Sequence, residues 1–223
     1  MLDLGSKQVS RATYSQQVYD LLTEKLLSGE FKPGQILTLR SLAADFSVSI
    51  IPVREALSLL EAEGVILRRS NRDYRIRELS YDEYNDIMDL RAIMESKAAV
   101  FACNNAQTAD YAGLKEILDS MQEQTAGIKE YIFRHYQFHM ALYKIARHQI
   151  YLEMIKGLWA RVGSYITMMG QAMVLASSIQ GHVRIYEALV AKDQDALVSA
   201  LLQDLMHGRM LLGESVFRNG PRE

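Results

Sequence analysis

Between Pro52 and Pro221 the chain contains no proline. Proline lacks an amide hydrogen and its ring clashes with the preceding turn, so it is the strongest interruption a helix can meet. Its absence leaves most of the chain free to run as long helices. Gly29, Pro33, Gly34, Pro52 and Gly64, by contrast, cut the first third into short pieces. A length of 223 residues suits two domains, and an apolar fraction of 49% supplies a core for each. Length and punctuation predict a loose tail over 1–13, one unit over 14–78 and a second over 79–218.

In the first unit, Val18, Leu21, Leu22 and Leu26 share one helical face over 14–28, and Ser28-Gly29 reads as its C-cap. Lys32-Pro33-Gly34-Gln35 reads as a turn. Thr38 is placed to cap a short helix to about Phe46, and Ser49 to cap another over 50–63 that Gly64 stops. Pro52 is tolerated there because first-turn amides have no intrahelical acceptor. Val65-Ile66-Leu67 and the alternating Tyr74-Arg75-Ile76-Arg77 flank a polar tip, the pattern of a β-hairpin. Three short helices followed by a hairpin make a winged helix-turn-helix.

The formal net charge of −2 does not mark a nucleic-acid binder, but the average hides a local strip. Arg68, Arg69, Arg72, Arg75 and Arg77 fall close together in the hairpin, with Asp73 the only acid among them. In the helix from Ile50, the residues Val53, Ala56, Leu57 and Leu60 face the core, leaving Ile50, Ile51, Arg54 and Ser58 outward. The N-terminal end of such a helix enters the major groove, where Arg54 meets guanine edges or phosphate and an isoleucine meets a thymine methyl. The alternative is a solvated Arg54–Glu55 face with Ile50 packed on the preceding helix.

From Ser80 onward the pattern is helical throughout, with helices expected at 82–103, 109–125, 128–147, 149–177, 179–191 and 193–217. The fold class is therefore mainly α: an N-terminal winged helix-turn-helix plus a C-terminal all-α helical bundle. The single cysteine, Cys103, suits a reducing cytoplasm, and no apolar run reaches the roughly 18 residues of a membrane span. A cytoplasmic protein with no membrane partner is expected.

Four of the five histidines invite a chemical reading. His135 and His139 lie four apart on one face, His182 shares a face with Tyr186 and Leu189, and His207 lines up with Ala200, Asp204 and Leu211. Three helices thus aim imidazoles inward, as bundles do when they bind metals, and imidazole suits zinc, nickel or copper. For each histidine alone, a hydrogen-bonded core role is the alternative. Arg91 lies beside the apolar Ile87, Leu90, Met94 and Ala98, so it needs an anion. That anion is Glu95 one turn on, an acid of another helix, or the carboxylate of a bound effector. A metalloenzyme is disfavoured, because Tyr136 stands where an H-E-x-x-H pair carries its general base.

The stretches LRSLAADFSVSIIPVREALSLLEAEGVI and RRSNRDYRI make residues 14–77 resemble the DNA-binding domain of the GntR family of bacterial transcription regulators. DLRAIMESKAA, HYQFHMALYKIARH, GHVRIYEALVAKDQDAL and LMHGRM make residues 82–212 resemble the FCD effector domain of one of its subgroups. The resemblance implies that Arg40, Ser49, Ile50, Ile51, Arg54 and the wing arginines Arg69, Arg72 and Arg75 contact double-stranded operator DNA. Two positions depart from the family: Ile50 and Ile51 replace its usual Arg-Thr, and Asp73 replaces a wing-tip glycine. Many members of the FCD subgroup bind a metal through an Asp four residues before a His and two later His, which implies a divalent transition metal here. His139, His182 and His207 match those histidines, and His135 stands at the Asp position. The implied protein is a homodimeric repressor bearing zinc or nickel. A small organic or sugar acid held by the metal and Arg91 would control it. Metal acting alone as the signal, and a helical-bundle metalloenzyme, are the other readings.

Overall fold

A computed structural model describes residues 14–122, 128–166 and 171–218. The first unit comprises α1 (Tyr14–Leu27), β1 (Ile36–Thr38), α2 (Leu39–Asp45), α3 (Ile50–Ala62), β2 (Ile66–Arg68) and β3 (Asp73–Ile76). Gly29 and Gly64 adopt positive φ where α1 and α3 stop. Thr38 Oγ1 accepts the Ser41 amide at 3.2 Å and starts α2. Ser49 occupies the N-cap of α3 with extended backbone, but contrary to expectation its side chain makes no cap bond. The expected hairpin forms, and β1 joins it on the far side of β3, giving the antiparallel order β1-β3-β2. Ile36-Leu37-Thr38 is too short for alternation to reveal; it is held by pairing Leu37 with Tyr74. Val18, Leu22, Val53, Leu57, Leu60, Ile66, Tyr74 and Ile76 fill the core between helices and sheet.

The second unit comprises α4 (Tyr81–Asn105), α5 (Thr108–Met121), α6 (Ile128–Ile145), α7 (Gln149–Ile166), α8 (Gln171–Val190) and α9 (Gln194–Leu212). A π-helical segment, Gly213–Arg218, follows α9. Ser80 and Glu83 form a capping box at the start of α4, and Asp193 caps α9. Gln107 occupies the cap of α5. The expected helix over 149–177 is corrected: α7 ends at Ile166, and α8 runs without a break through Ser177-Ser178. Serines weaken a helix only slightly and do not end one, whereas Gly170 lies between the two helices in the sequence.

The two units are packed together along α7. Ala160 is buried within the first unit's core. A Cβ at Gly163 would come within 3.3 Å of the Leu26 carbonyl oxygen, so α7 lies directly on the end of α1. Tyr165 accepts the Leu79 amide at 2.6 Å, fixing the chain as it leaves the wing for α4.

Candidate functional site

The outward face of α3 is as the sequence predicts. Val53, Ala56, Leu57 and Leu60 are fully buried, while Ile50 and Ile51 are 39% and 68% exposed at its N-terminal end, beside exposed Arg54. Arg40, Arg54, Arg69 and Arg72 are exposed and form no ion pair among the described residues. The Leu39 amide donates to the Arg72 carbonyl at 3.1 Å, docking the wing tip on the start of α2 where Arg40 sits. The arginine strip is less uniform than its sequence. Arg75 donates to the Gly34 carbonyl and pairs with Glu78 at 2.7 Å. Arg68 pairs with Glu61 and Arg77 with Glu83. The cations left open to a phosphate backbone are therefore at the tip of the wing, on α2 and on α3. Asp73 accepts from Ser70 Oγ at 3.1 Å, and no residue from Arg69 to Asp73 has positive φ. The tip thus closes without a glycine.

In the second unit, α6, α8 and α9 bring His135, His139, His182 and Asp204 together, with one donor atom from each lying within 4.8 Å of the others. His139 Nε2 is 3.1 Å from His182 Nε2 and 3.3 Å from Asp204 Oδ2. His135 Nε2 lies 3.8 Å from Asp204 Oδ2, and His182 Nε2 lies 3.9 Å from Oδ1. Tetrahedral ligands about 2.0–2.1 Å from a zinc ion stand about 3.3 Å apart, so three nitrogens and one oxygen at these spacings fit a divalent transition metal. His207, the expected fourth histidine, is outside this group; it lines the cavity next to it. Three residues along α9 turn a side chain by most of a revolution, and the position that faces α6 and α8 is Asp204.

Electrostatics suits the same role. Burial pushes the His139 pKa down to about 3, so the imidazole stays neutral and keeps a lone pair. Burial alone would raise the Asp204 carboxyl. The neighbouring His182 and a hydrogen bond from His135 outweigh it and hold Asp204 well below the usual carboxylate range. Behind His139 a buried relay fixes its tautomer. Tyr143 donates its one proton to Glu95 Oε2 at 2.5 Å, so its oxygen accepts from His139 Nδ1 at 3.1 Å. Nε2 is then the free nitrogen, and it points into the cluster. Glu95 Oε1 also accepts from Trp159 Nε1 at 2.9 Å and from Arg91 Nε at 2.7 Å. The anion partner of Arg91 is thus internal. Its guanidinium stacks 4.0 Å above Trp159 and still borders the cavity.

That cavity measures about 80 Å³ and touches His135, Asp204 and His207 on one side and Trp159, Val162 and Ile166 of α7 on another. Residues 14–76 match the family model described as bacterial regulatory proteins, gntR family, and residues 86–207 match the FCD domain. The chain is a GntR-family transcription regulator of the FCD subgroup. It is a DNA-binding regulator and not an enzyme. It is 28% identical over 213 residues to the HTH-type transcriptional regulator McbR of Escherichia coli K12, covering 93% of this chain and 96% of that one. It is 28% identical to the gluconate operon transcriptional repressor of Bacillus licheniformis, over 89% of this chain and 84% of the relative. The solved structure of E. coli McbR/YncC superposes with a TM-score of 0.86 at 26% identity, over 92% of this chain and 99% of that chain. No helix among the described residues is long and apolar enough to cross a membrane.

Proposed function

We propose that this regulator is a cytoplasmic homodimeric repressor. A small organic or sugar acid, bound beside a divalent metal in the C-terminal bundle, controls its operator affinity. The observation that carries this reading is the His135–His139–His182–Asp204 group opening onto a cavity that Arg91 also borders. Relatives named for repression of gluconate and D-xylose utilization operons support the repressor role. Zinc or nickel suits the donor set. When bound, the metal supplies a positive centre for a carboxylate oxygen. The protein's part is to hold His139 in the right tautomer through Tyr143, to exclude water with Trp159, and to orient the acid with the Arg91 face that Glu95 leaves open.

Arg40, Ser49, Ile50, Ile51, Arg54, Arg69 and Arg72 form the DNA-contacting set. Arg75 contributes less, because its charge is already offset by Glu78. A second reading, in which the metal itself is the signal, is favoured by one observation: the Arg91 charge is met by Glu95 without any ligand. Two measurements test the proposal. His182→Ala is expected to lose the metal that elemental analysis finds in wild type; equal metal content in both sinks the site. Arg54→Ala is expected to weaken operator binding at fixed salt by about tenfold or more, and unchanged fluorescence anisotropy would remove α3 from the interface.

A further inference from the structure

The cavity has a charge count and a wall chemistry that narrow its ligand, on the premise that the metal-and-acid reading above holds. We propose that the effector is a monocarboxylic acid with a short, hydroxyl-free apolar tail. Among the described residues the ionised side chains at the cavity are Arg91 and Asp204, with Glu95 directly behind Arg91. Arg91 and Glu95 cancel one another. Asp204 then leaves one negative charge, and imidazoles that ligate a metal are neutral. A divalent cation turns the site to one net positive charge. One carboxylate balances it; a second carboxylate would be buried without a counter-charge, which costs far more than it gains.

The wall decides the tail. Polar groups gather at the metal end: His135 and Asp204 in the cluster, His207 a turn along α9, and Arg91 stacked on Trp159. The rest of the lining is largely carbon, from Met88, Ile132, Val162, Ile166, Leu205 and Leu211, with one further hydroxyl from Tyr131. Hydroxyls of a sugar acid would face these carbons with few partners, and each buried unsatisfied hydroxyl is a loss of several-fold or more in affinity. Tyr84 does not change this, because its hydroxyl turns to the Arg209 carbonyl at 3.4 Å. The volume of about 80 Å³ holds roughly six water-sized groups, so the tail is a few carbons long.

The test compares three acids with the same number of non-hydrogen atoms: isovalerate, glycerate and malonate. Each is titrated calorimetrically into zinc-loaded full-length protein, with zinc retention measured afterwards. Isovalerate is expected to bind on the order of tenfold more tightly than glycerate, and malonate to bind more weakly still. Glycerate or malonate binding as tightly as isovalerate overturns this inference and leaves the broader effector reading standing. Failure of all three to bind protein that retains zinc overturns both. A Leu211→Trp variant, which fills the apolar end away from the metal, is expected to keep its zinc and lose isovalerate. Unchanged isovalerate affinity in a folded, zinc-retaining variant places the acid outside the cavity and refutes the proposal.

Discussion

Tyr143 carries a single hydroxyl proton, and where that proton goes decides what His139 can do. Because Glu95 takes it, Tyr143 can only accept from His139 Nδ1, and Nε2 is left as a ligand atom. Tyr143→Phe removes the acceptor for one buried group and the donor for another. It is expected to cost about 1–3 kcal/mol of stability and to weaken metal binding roughly ten- to hundredfold. Unaltered zinc affinity in competition with a chelator would show that the tautomer is set some other way. Ile50 and Ile51 stand exposed at the N-terminal end of α3, on the face proposed to contact DNA. Their exposed side chains offer apolar surface where the family presents a cation, so the contacts proposed for them are thymine methyls. Ile51→Ala is expected to weaken binding to a selected duplex about fourfold or more, as loss of buried methyl groups does. The loss should shrink when deoxyuridine replaces thymidine in that duplex; identical losses on both duplexes would exclude methyl contact.

Helix α7 meets three parts of the molecule with three faces. Trp159, Val162 and Ile166 border the cavity, Ala160 and Gly163 lie on the first unit, and Tyr165 holds the chain entering α4. Arg161 completes the connection: its Nε donates to the Glu63 carbonyl at 2.7 Å, at the C-terminal end of α3. A cation at that end also complements the helix dipole. Glu63 is gripped from the other side by the Tyr19 hydroxyl at 2.8 Å. On the proposed function, a displacement of α7 by a cavity ligand would reach α3 through this contact. Arg161→Ala is expected to leave zinc and acid affinities within about twofold while reducing the acid's effect on operator affinity, a coupling typically on the order of 1–3 kcal/mol. Full coupling in the variant would assign transmission to another path. Elements of this kind were partly legible in the sequence. Periodicity placed α1 to α6 to within a few residues. β1 escaped because three residues carry no period, and the α7–α8 division was displaced because apolar spacing continues past the end of α7.

Across the whole molecule, the buried cluster makes the metal-free protein sensitive to acid. The His139 pKa lies near 3 in the fold and near 6.5 in an unfolded chain, so the unfolded state binds more protons between those values. Stability is complete above the unfolded value and is lost as pH falls from about 6.5 toward 3. Asp204, held low in the fold, acts in the same direction below its own unfolded value. Chelator-treated protein is expected to melt at progressively lower temperature from pH 7 to pH 4. His139→Ala should flatten that slope, and a slope that persists would locate the titration elsewhere. Bound metal competes with protons for the same nitrogens, so zinc should steepen the loss at the pH where it dissociates.

Local chemistry, written in consecutive residues, determined most of this protein. Glycine and proline divided it, apolar spacing set its helices, arginines marked the wing, and paired histidines on one face of α6 announced a site. Tertiary structure decided what spacing cannot, because distance along a chain says little about which side chains on different helices meet. It chose Asp204 over His207 and gave Arg91 its partner in Glu95. It also withdrew Arg75 from the free cations and laid α7 against both units, so that the cavity and α3 share one support.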